Sequence, residues 1–547
     1  MIKKEKILAH TIHNAILHDG KAQVGAVLPK LFQEGLKKTD IKKILPDIKK
    51  IVDEVNSWDL KKQEIEFKKY EKLFPKKEEK HELPELQNVK GKVIMRFAPF
   101  PSGALHIGNA RTLILNDTYV KKYKGDLLLV IDDTIGSEEK QISKESYKLI
   151  QDSLDWLQIK YKKPVIFKSD RLKLFYKYAE ELIKKGHAYI CFCKQLEVKK
   201  NREEGIECVC RKKDPKIDLE HWKDMLNGKY KQGEVTLRIK TDMKDPDPAF
   251  RDRILFRISD RKHPKVKDKV WPSLEMSWAI DDHLLGITHV LRGKELKIES
   301  RVEEFIWKIF KWKPVNLLHT GTLYLEGAKI SKSKSRKEVS SGKYTGWDDP
   351  RTWSLQSLER RGIQPEALRK FLLTFGTSEQ DAQAPLDILY KENRRIIEKG
   401  NRYFFVKDPV KIKIPKAPHF RVEVPLHPDH LERGMRTFET KGEFYITKED
   451  KTNKNTRLMH AFNFKGSEYL DKDVNEKLNA KMIHWLPISK DLVKVEVLME
   501  DGSIKKGLGE SGIKNLKKGD ICQMERFGFC KLDKIEKNIY KFWFTHR

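Results

Sequence analysis

Apolar residues return at three- and four-residue intervals in two early stretches of the chain. Leu8, Ile12, Ala15 and Ile16 share one helix face, and Gly20 follows as a stop. Ile41, Ile44, Leu45, Ile48, Ile51, Val52 and Val55 repeat the pattern, which predicts a second amphipathic helix. Between Pro75 and Pro84 the chain carries the mixed run Lys76-Lys77-Glu78-Glu79-Lys80 and reads as a linker. The period changes at Gly91. Val93-Ile94-Met95-Arg96-Phe97-Ala98 reads as a buried strand, followed by a Pro/Gly-rich turn and a helix from about Asn109 to Tyr123. Leu127-Leu128-Leu129-Val130-Ile131 is a second strand, apolar at every position. Strand, loop, helix, strand begins a parallel α/β sheet. His289-Val290-Leu291-Arg292 and a helix from about Ile298 to Phe310 repeat that rhythm. The cysteine-, proline- and charge-rich stretch from about Gly186 to Lys269 is read as an insertion between the two halves of one sheet.

From about Trp353 to Asn401 the pattern is helical again, with Pro365 at a helix start, where its missing N–H costs nothing. Beyond Pro409 the runs are short and alternating. Phe420-Arg421-Val422-Glu423-Val424, Glu443-Phe444-Tyr445-Ile446-Thr447 and Leu492-Val493-Lys494-Val495-Glu496-Val497 are examples, with turn residues such as Asp501-Gly502 between runs. They predict antiparallel sheets or barrels.

The length of 547 residues calls for several domains. An apolar content of 39 % excludes a disordered chain. Lysine and arginine number 112 against 81 acids, a net charge of +31, which suits a polyanionic partner. A heavily charged solvated surface gives the same count. No apolar run is long enough to span a bilayer, and the start has no signal-peptide core. Six cysteines in a chain of this length make no disulfide framework, so a cytoplasmic protein is expected.

Three segments carry candidate chemistry. In Arg96-Phe97-Ala98-Pro99-Phe100-Pro101-Ser102-Gly103-Ala104-Leu105-His106-Ile107-Gly108-Asn109, small residues let backbone approach a ligand. The helix that follows aims unpaired N–H groups at it. His106 is placed to donate to a phosphate oxygen, although alone the segment reads equally as a Gly/Pro turn. Lys329-Ile330-Ser331-Lys332-Ser333-Lys334 can swing ammonium groups over a triphosphate; alone it is a solubilising charge run. Ala279-Ile280-Asp281-Asp282-His283-Leu284-Leu285-Gly286-Ile287-Thr288-His289-Val290-Leu291-Arg292-Gly293 suits a loop lining a site, or an ordinary buried strand with a polar lead-in.

In this order, the first segment resembles the HIGH signature and the second the KMSKS signature of class I aminoacyl-tRNA synthetases. No G-x-x-x-x-G-K-[ST] stretch marks a P-loop enzyme. Arg96-Phe97-Ala98-Pro99 and Asp281-Asp282-His283-Leu284-Leu285-Gly286 resemble the glutamyl-tRNA synthetases. Gly346-Trp347-Asp348-Asp349-Pro350-Arg351, Phe527-Gly528-Phe529 and Phe544-Thr545-His546 resemble their archaeal and eukaryotic branch. The resemblance extends over nearly the whole chain. It implies a multidomain α/β protein: an N-terminal helical extension and linker (1–88), then a Rossmann-like catalytic domain in two halves (89–185, and 271–336 with the KMSKS-like loop). An acceptor-binding insertion (186–270) separates the halves, and a helical stem-contact domain (337–405) and a β-barrel anticodon-binding region (406–547) follow. It further implies that L-glutamate is activated with ATP and Mg²⁺ and passed to the 3′-terminal adenosine of tRNA-Glu, with tRNA-Gln a second candidate acceptor.

The same resemblance assigns residues. His106, Lys329 and Lys332 are the implied catalytic groups. Pro99, Gly103, His106, Gly108, Asn109, Lys329, Ser331 and Lys332 are the implied ATP contacts. Arg96, Ala98, Asp132, Leu274, Trp278 and Arg292 are the implied glutamate contacts, with Asp132 near the amino group. Arginine suits a carboxylate because it offers donors only, which an amide N–H cannot use. Glutaminyl-tRNA synthetase has an uncharged residue in place of Arg292. The alternative for Arg292 is a pairing with a structural acid. The sequence also departs from the pattern. Asn109 replaces the second histidine of HIGH and is read as the helix N-cap, and Phe100 replaces a small polar residue. Leu274 stands where many members have tyrosine, and Trp278 where bacterial ones have asparagine.

Cys191-Phe192-Cys193 and Cys208-Val209-Cys210 form two C-x-C units. On two adjacent strands they would present four thiolates to one structural Zn²⁺, although buried free cysteines are common. Cys522 and Cys530 are read as core residues. The competing readings are a glutaminyl-tRNA synthetase and a tRNA-binding pseudo-synthetase. A small glutamyltransferase is disfavoured because that relative lacks long C-terminal barrels.

Overall fold

The computed structural model describes residues 4–17, 20–33, 36, 38–70, 83–136, 141–326 and 332–547. It divides into two compact units, Met1–His81 and Glu82–Arg547. The charged run 76–80 lies outside the described residues. The first unit is helical: α1 (Lys4–Leu17), α2 (Val24–Gln33), α3 (Ile41–Asn56) and α4 (Leu60–Lys68). Ile48, Val52 and Val55 recur on one face of α3 and bury against Ile7, Ile12, Val27 and Leu31. Asp59 caps α4 by accepting from the Lys62 backbone N–H at 2.7 Å.

The second unit opens with β1 (Ile94–Phe97), α5 (Ile107–Lys122), β2 (Asp126–Ile131), α6 (Ser146–Trp156), β3 (Lys162–Phe167) and α7 (Leu172–Lys184). Next come β4 (Ala188–Cys191), α8 (Gln195–Glu204), α9 (Pro215–Leu226), β5 (Thr236–Ile239), β6 (Ile254–Ile258) and β7 (Val270–Pro272). The first alternation then resumes with α10 (Leu274–Leu284), β8 (His289–Gly293), α11 (Lys297–Phe310) and β9 (Asn316–Thr320). Five strands make one parallel sheet in the order β3-β2-β1-β8-β9. The strands β4-β5-β6-β7 make a separate antiparallel sheet. The unbroken apolar run of β2 has a direct cause. Leu127, Leu129 and Ile131 enter the core on one face of the parallel sheet, while Leu128 and Val130 enter the core on the other. A strand covered on both faces has no position left for a polar side chain. The chain moves from β1 outward to β3 and returns to β8 on the opposite side of β1. The strand order therefore reverses between β1 and β8, and such a point opens a crevice at the carboxyl ends of the strands.

The chain continues through β10 (Leu323–Leu325), α12 (Lys332–Ser340), α13 (Leu355–Arg361), α14 (Pro365–Leu373), β11 (Ala382–Ala384) and α15 (Leu386–Ile397). Pro365 opens α14 as expected. The short β11, inside a stretch read as helical, pairs in parallel with β10. Three residues carry no readable period, so only the tertiary pairing fixes them. Beyond residue 400 the predicted antiparallel strands are present. The segments 402–403 and 405–407 join strands from 493–546 in a seven-stranded sheet. Smaller sheets are built from strands between residues 409 and 487. Cys522 and Cys530 face each other across two strands, both fully buried.

Arg361, at the end of α13, is buried and ties the helical segment to the C-terminal strand. Its Nε donates to the Phe544 carbonyl at 3.3 Å, and its Nη2 donates to the Thr545 carbonyl at 2.9 Å and to the Glu500 carboxylate. Arg361→Met keeps the volume and removes every donor. It is expected to lower the stability of the chain by about 3 kcal/mol, seen as a lower urea midpoint by tryptophan fluorescence.

Candidate active site

At the carboxyl ends of the parallel strands lies a cleft of about 640 Å³. Arg96 comes from β1, Ala98, Pro99 and Asn109 from the loop and helix after it, and Asp132 from the residue after β2. Arg292 comes from β8. Leu274 and Trp278 lie one turn apart on α10 and line the same cleft.

The loop before α5 is built around His106. The helix starts at Ile107 and His106 is its N-cap. The ring Nδ1 accepts from the Gly108 N–H at 3.1 Å, and Asn109 Oδ1 accepts from the His106 N–H at 3.3 Å. This corrects the reading of Asn109 as N-cap: it is the third helical residue, and its side chain completes a capping box. With Nδ1 accepting, the neutral ring carries its proton on Nε2. Two glycines are required by contact. A Cβ on Gly108 would lie 2.9 Å from the His106 ring, and one on Gly103 would lie 2.1 Å from the Trp347 indole. Trp347 belongs to the Gly346–Arg351 segment, and its Nε1 donates to Glu145 at 2.8 Å.

Both arginines of the cleft are held by internal acids. Arg96 donates from Nε and Nη2 to the two oxygens of Asp282 at 2.5 and 2.8 Å. Its Nη1 has no partner among the described residues. Arg292 donates from Nη1 and Nη2 to Glu303 at 2.7 and 2.9 Å, and from Nη2 to Ser300 at 2.7 Å; its Nε is buried without a partner. The structural-acid pairing considered for Arg292 is therefore present. It does not remove the side chain from the cleft, since a guanidinium carries five donors and Glu303 takes two.

A third cation, absent from the sequence reading, completes the group. Lys168 is fully buried, donates to Ser277 at 2.8 Å and lies 3.4 Å from Asp132. Arg96, Lys168 and Arg292 all approach the Trp278 ring, at 4.9, 4.7 and 5.2 Å from its centre. Behind them Asp281 accepts from Arg171 at 2.6 Å, while its other oxygen is buried without a partner. Burial pushes the Asp281 carboxyl up to about 6 and the Glu303 carboxyl up to about 7, and it holds the Lys168 ammonium below its usual value. One signal for Lys168 was available: it directly follows the apolar Val165-Ile166-Phe167 end of β3, at the same strand ends as Asp132.

The far wall is basic. Arg253 pairs with Glu275 at 2.6 Å and Glu299 at 3.0 Å, and Arg202 donates to the carbonyls of Pro248 and Ala249. Arg257 lines the cleft with no ion pair or side-chain hydrogen bond among the described residues. Lys329 and Ser331 lie outside the described residues. Lys332 begins α12, and its side chain lies outside them too.

The four cysteines come together, although not as two strands. Cys191 ends β4, whereas Cys208 and Cys210 lie at a 3₁₀ turn, Val209–Lys212. Their sulfurs all lie within 4.8 Å of one another, with Cys191 and Cys208 at 3.9 Å. Tetrahedral zinc with bonds of about 2.3 Å places its sulfurs about 3.8 Å apart, so the donor set and spacing fit that ion.

Among the described residues no helix is long and apolar enough to cross a membrane. The family described as tRNA synthetases class I (E and Q), catalytic domain, matches residues 92–400. Two anticodon-binding domain families of the same class match residues 400–483 and 482–533. The glutamate–tRNA ligase of Pyrococcus furiosus is 42% identical over 99% of both chains. The proteins of that name from Methanocaldococcus jannaschii and Pyrococcus abyssi are 39% and 42% identical, over 100% and 97% of both chains.

The buried Asp281 sets a sign for the dependence of stability on pH. Its unfolded value is near 4 and its folded value about 6, so between these only the folded chain holds the proton. The resulting stability is present below pH 4 and is lost as pH rises through 6. Asp281→Asn stays neutral and is expected to flatten this slope by up to about 3 kcal/mol, measured as denaturation midpoints from pH 4 to 7.

Proposed function

Because the chain belongs to the class I tRNA synthetases for glutamate and glutamine, we propose that it charges tRNA-Glu with L-glutamate in two ATP-dependent steps. An α-carboxylate oxygen of glutamate bonds to the α-phosphorus of ATP as the bond to the bridging oxygen breaks and pyrophosphate leaves. The terminal ribose hydroxyl of the tRNA then bonds to the acyl carbon, AMP leaves, and the hydroxyl proton passes to solvent.

One observation carries the choice of amino acid: Arg96 and Arg292 line a single cleft, each fixed by an acid and each with donors to spare. Where the two guanidinium groups meet the substrate side chain, their donors favour a carboxylate over an amide, whose own N–H groups they cannot accept. Asp132, held by Thr134 at 2.9 Å, supplies the acceptor for the amino group. Leu274 and Trp278 form the apolar wall, and Trp278 also stabilises the cations by its π face. His106 Nε2–H and the N-terminus of α5, whose Gly108 N–H is already taken by His106, meet the ATP phosphates, with Pro99, Gly103, Gly108 and Asn109 shaping the loop. By the family resemblance Lys329, Ser331 and Lys332 are taken as the contacts to the triphosphate, and Mg²⁺ arrives with it. Asn109 completes the capping box, so the start of α5 is held with asparagine in place of histidine.

The net charge of +31 and the unpaired Arg257 support binding of the tRNA backbone. We assign Cys191, Cys193, Cys208 and Cys210 to a structural zinc, which when bound would pin the turn of the inserted sheet. A cytoplasmic location follows from this function.

Aminoacylation with glutamate and with glutamine, on tRNA-Glu and tRNA-Gln, tests the assignment. Glutamate is expected on tRNA-Glu, and any acceptance of tRNA-Gln would also be with glutamate; efficient glutamine charging would overturn the reading. Lys332→Ala is expected to slow adenylate formation by about 10²–10³ while tRNA binding, read by filter retention, stays intact.

A further inference from the structure

We propose that Arg238 is the charge partner of the metal–thiolate centre, a positioning residue that fixes two of its sulfurs. The proposal rests on reading the four cysteines as zinc ligands. Arg238 lies on β5 beside β4 and is 1 % exposed. Its Nη1 lies 3.6 Å from Cys191 Sγ and 3.8 Å from Cys208 Sγ. Nε donates to the Asp252 carbonyl at 2.8 Å, and Nη2 is buried with no hydrogen bond.

A guanidinium removed from water needs an anion nearby. The carboxylate of Asp252, whose backbone carbonyl accepts from Arg238, already has its oxygens engaged. It accepts from Arg211 Nε at 3.0 Å, Tyr189 Oη at 2.9 Å and the Thr241 N–H at 2.7 Å. The tip of Arg238 faces sulfur, with the Tyr189 ring centre 5.5 Å from its guanidinium carbon; a ring face offers no anion, and a neutral thiol is a weak acceptor. Four thiolates around one Zn²⁺ carry a net charge of −2. A fixed cation against two of them offsets half of that charge, and the N–H groups orient the sulfurs. The cation and the sulfur cluster thus each satisfy a need that neither meets alone.

Full-length protein, zinc and a chromophoric chelator test this by competition, with Co²⁺ substitution as a spectroscopic reporter. The native chain is expected to take up one zinc and to show sulfur-to-cobalt charge transfer. Arg238→Met is expected to weaken zinc binding about 10–100-fold and to move that band to longer wavelength, since the N–H contacts that stabilise the thiolates are gone. Arg238→Lys, which keeps the charge without the fork, should fall between. If Arg238→Met does not fold, Arg238→Lys decides, with a loss of about tenfold expected. Affinity within twofold of native, with an unmoved band, overturns the role of Arg238 and leaves the zinc reading standing. A native chain that takes up no zinc and gives no charge-transfer band overturns the zinc reading itself, and the proposal with it.

Discussion

The two-oxygen pairing of Arg96 with Asp282 is the constraint on which the cleft depends. The residues are 186 positions apart, on β1 and α10, and the whole inserted sheet lies between them in the chain. Both side chains are buried, so neither charge can be left alone without a heavy desolvation penalty. The pair therefore requires the second half of the parallel sheet to return against the first in one register. Arg292 with Glu303 repeats the device on β8 and α11. Each acid has a second effect: it holds its guanidinium flat and immobile, so a ligand meets donors already oriented. Trp278, approached by three cations, gives that group its common surface.

The layout of the fold was legible wherever a pattern extended over enough residues to have a period. The β2 run announced a strand covered on both faces, and the seven apolar positions from Ile41 to Val55 announced α3. What escaped had no period. Strand β11 is three residues long and exists because β10 is beside it. Both C-x-C units read as strands because residues two apart share a strand face; only Cys191 lies on one, and a 3₁₀ turn brings the second pair of sulfurs to it equally well.

The site was legible by residue type and less so by geometry. Arg96, Asp132, Trp278 and Arg292 were named from the resemblance and line one cleft. The edge of each guanidinium left open depends on Asp282 and Glu303, and sequence does not say which nitrogen an acid occupies. Reading Asn109 as the cap puts the start of α5 three residues too late, because a capping residue and its reciprocal partner have similar chemistry. Lys168 escaped because a single lysine after a strand looks like surface, and only its complete burial gives it a role.

The indole of Trp347 resting on Gly103 couples two distant stretches of the chain, beside the backbone hydrogen bond from Leu355 to Leu105. Any side chain at 103 would evict the ring, and a small residue at 347 would leave a void above the loop that precedes His106. A change at either position therefore disturbs the packing of the other. The Gly346–Arg351 stretch thereby works as the keystone of the first loop, although more than two hundred residues separate them.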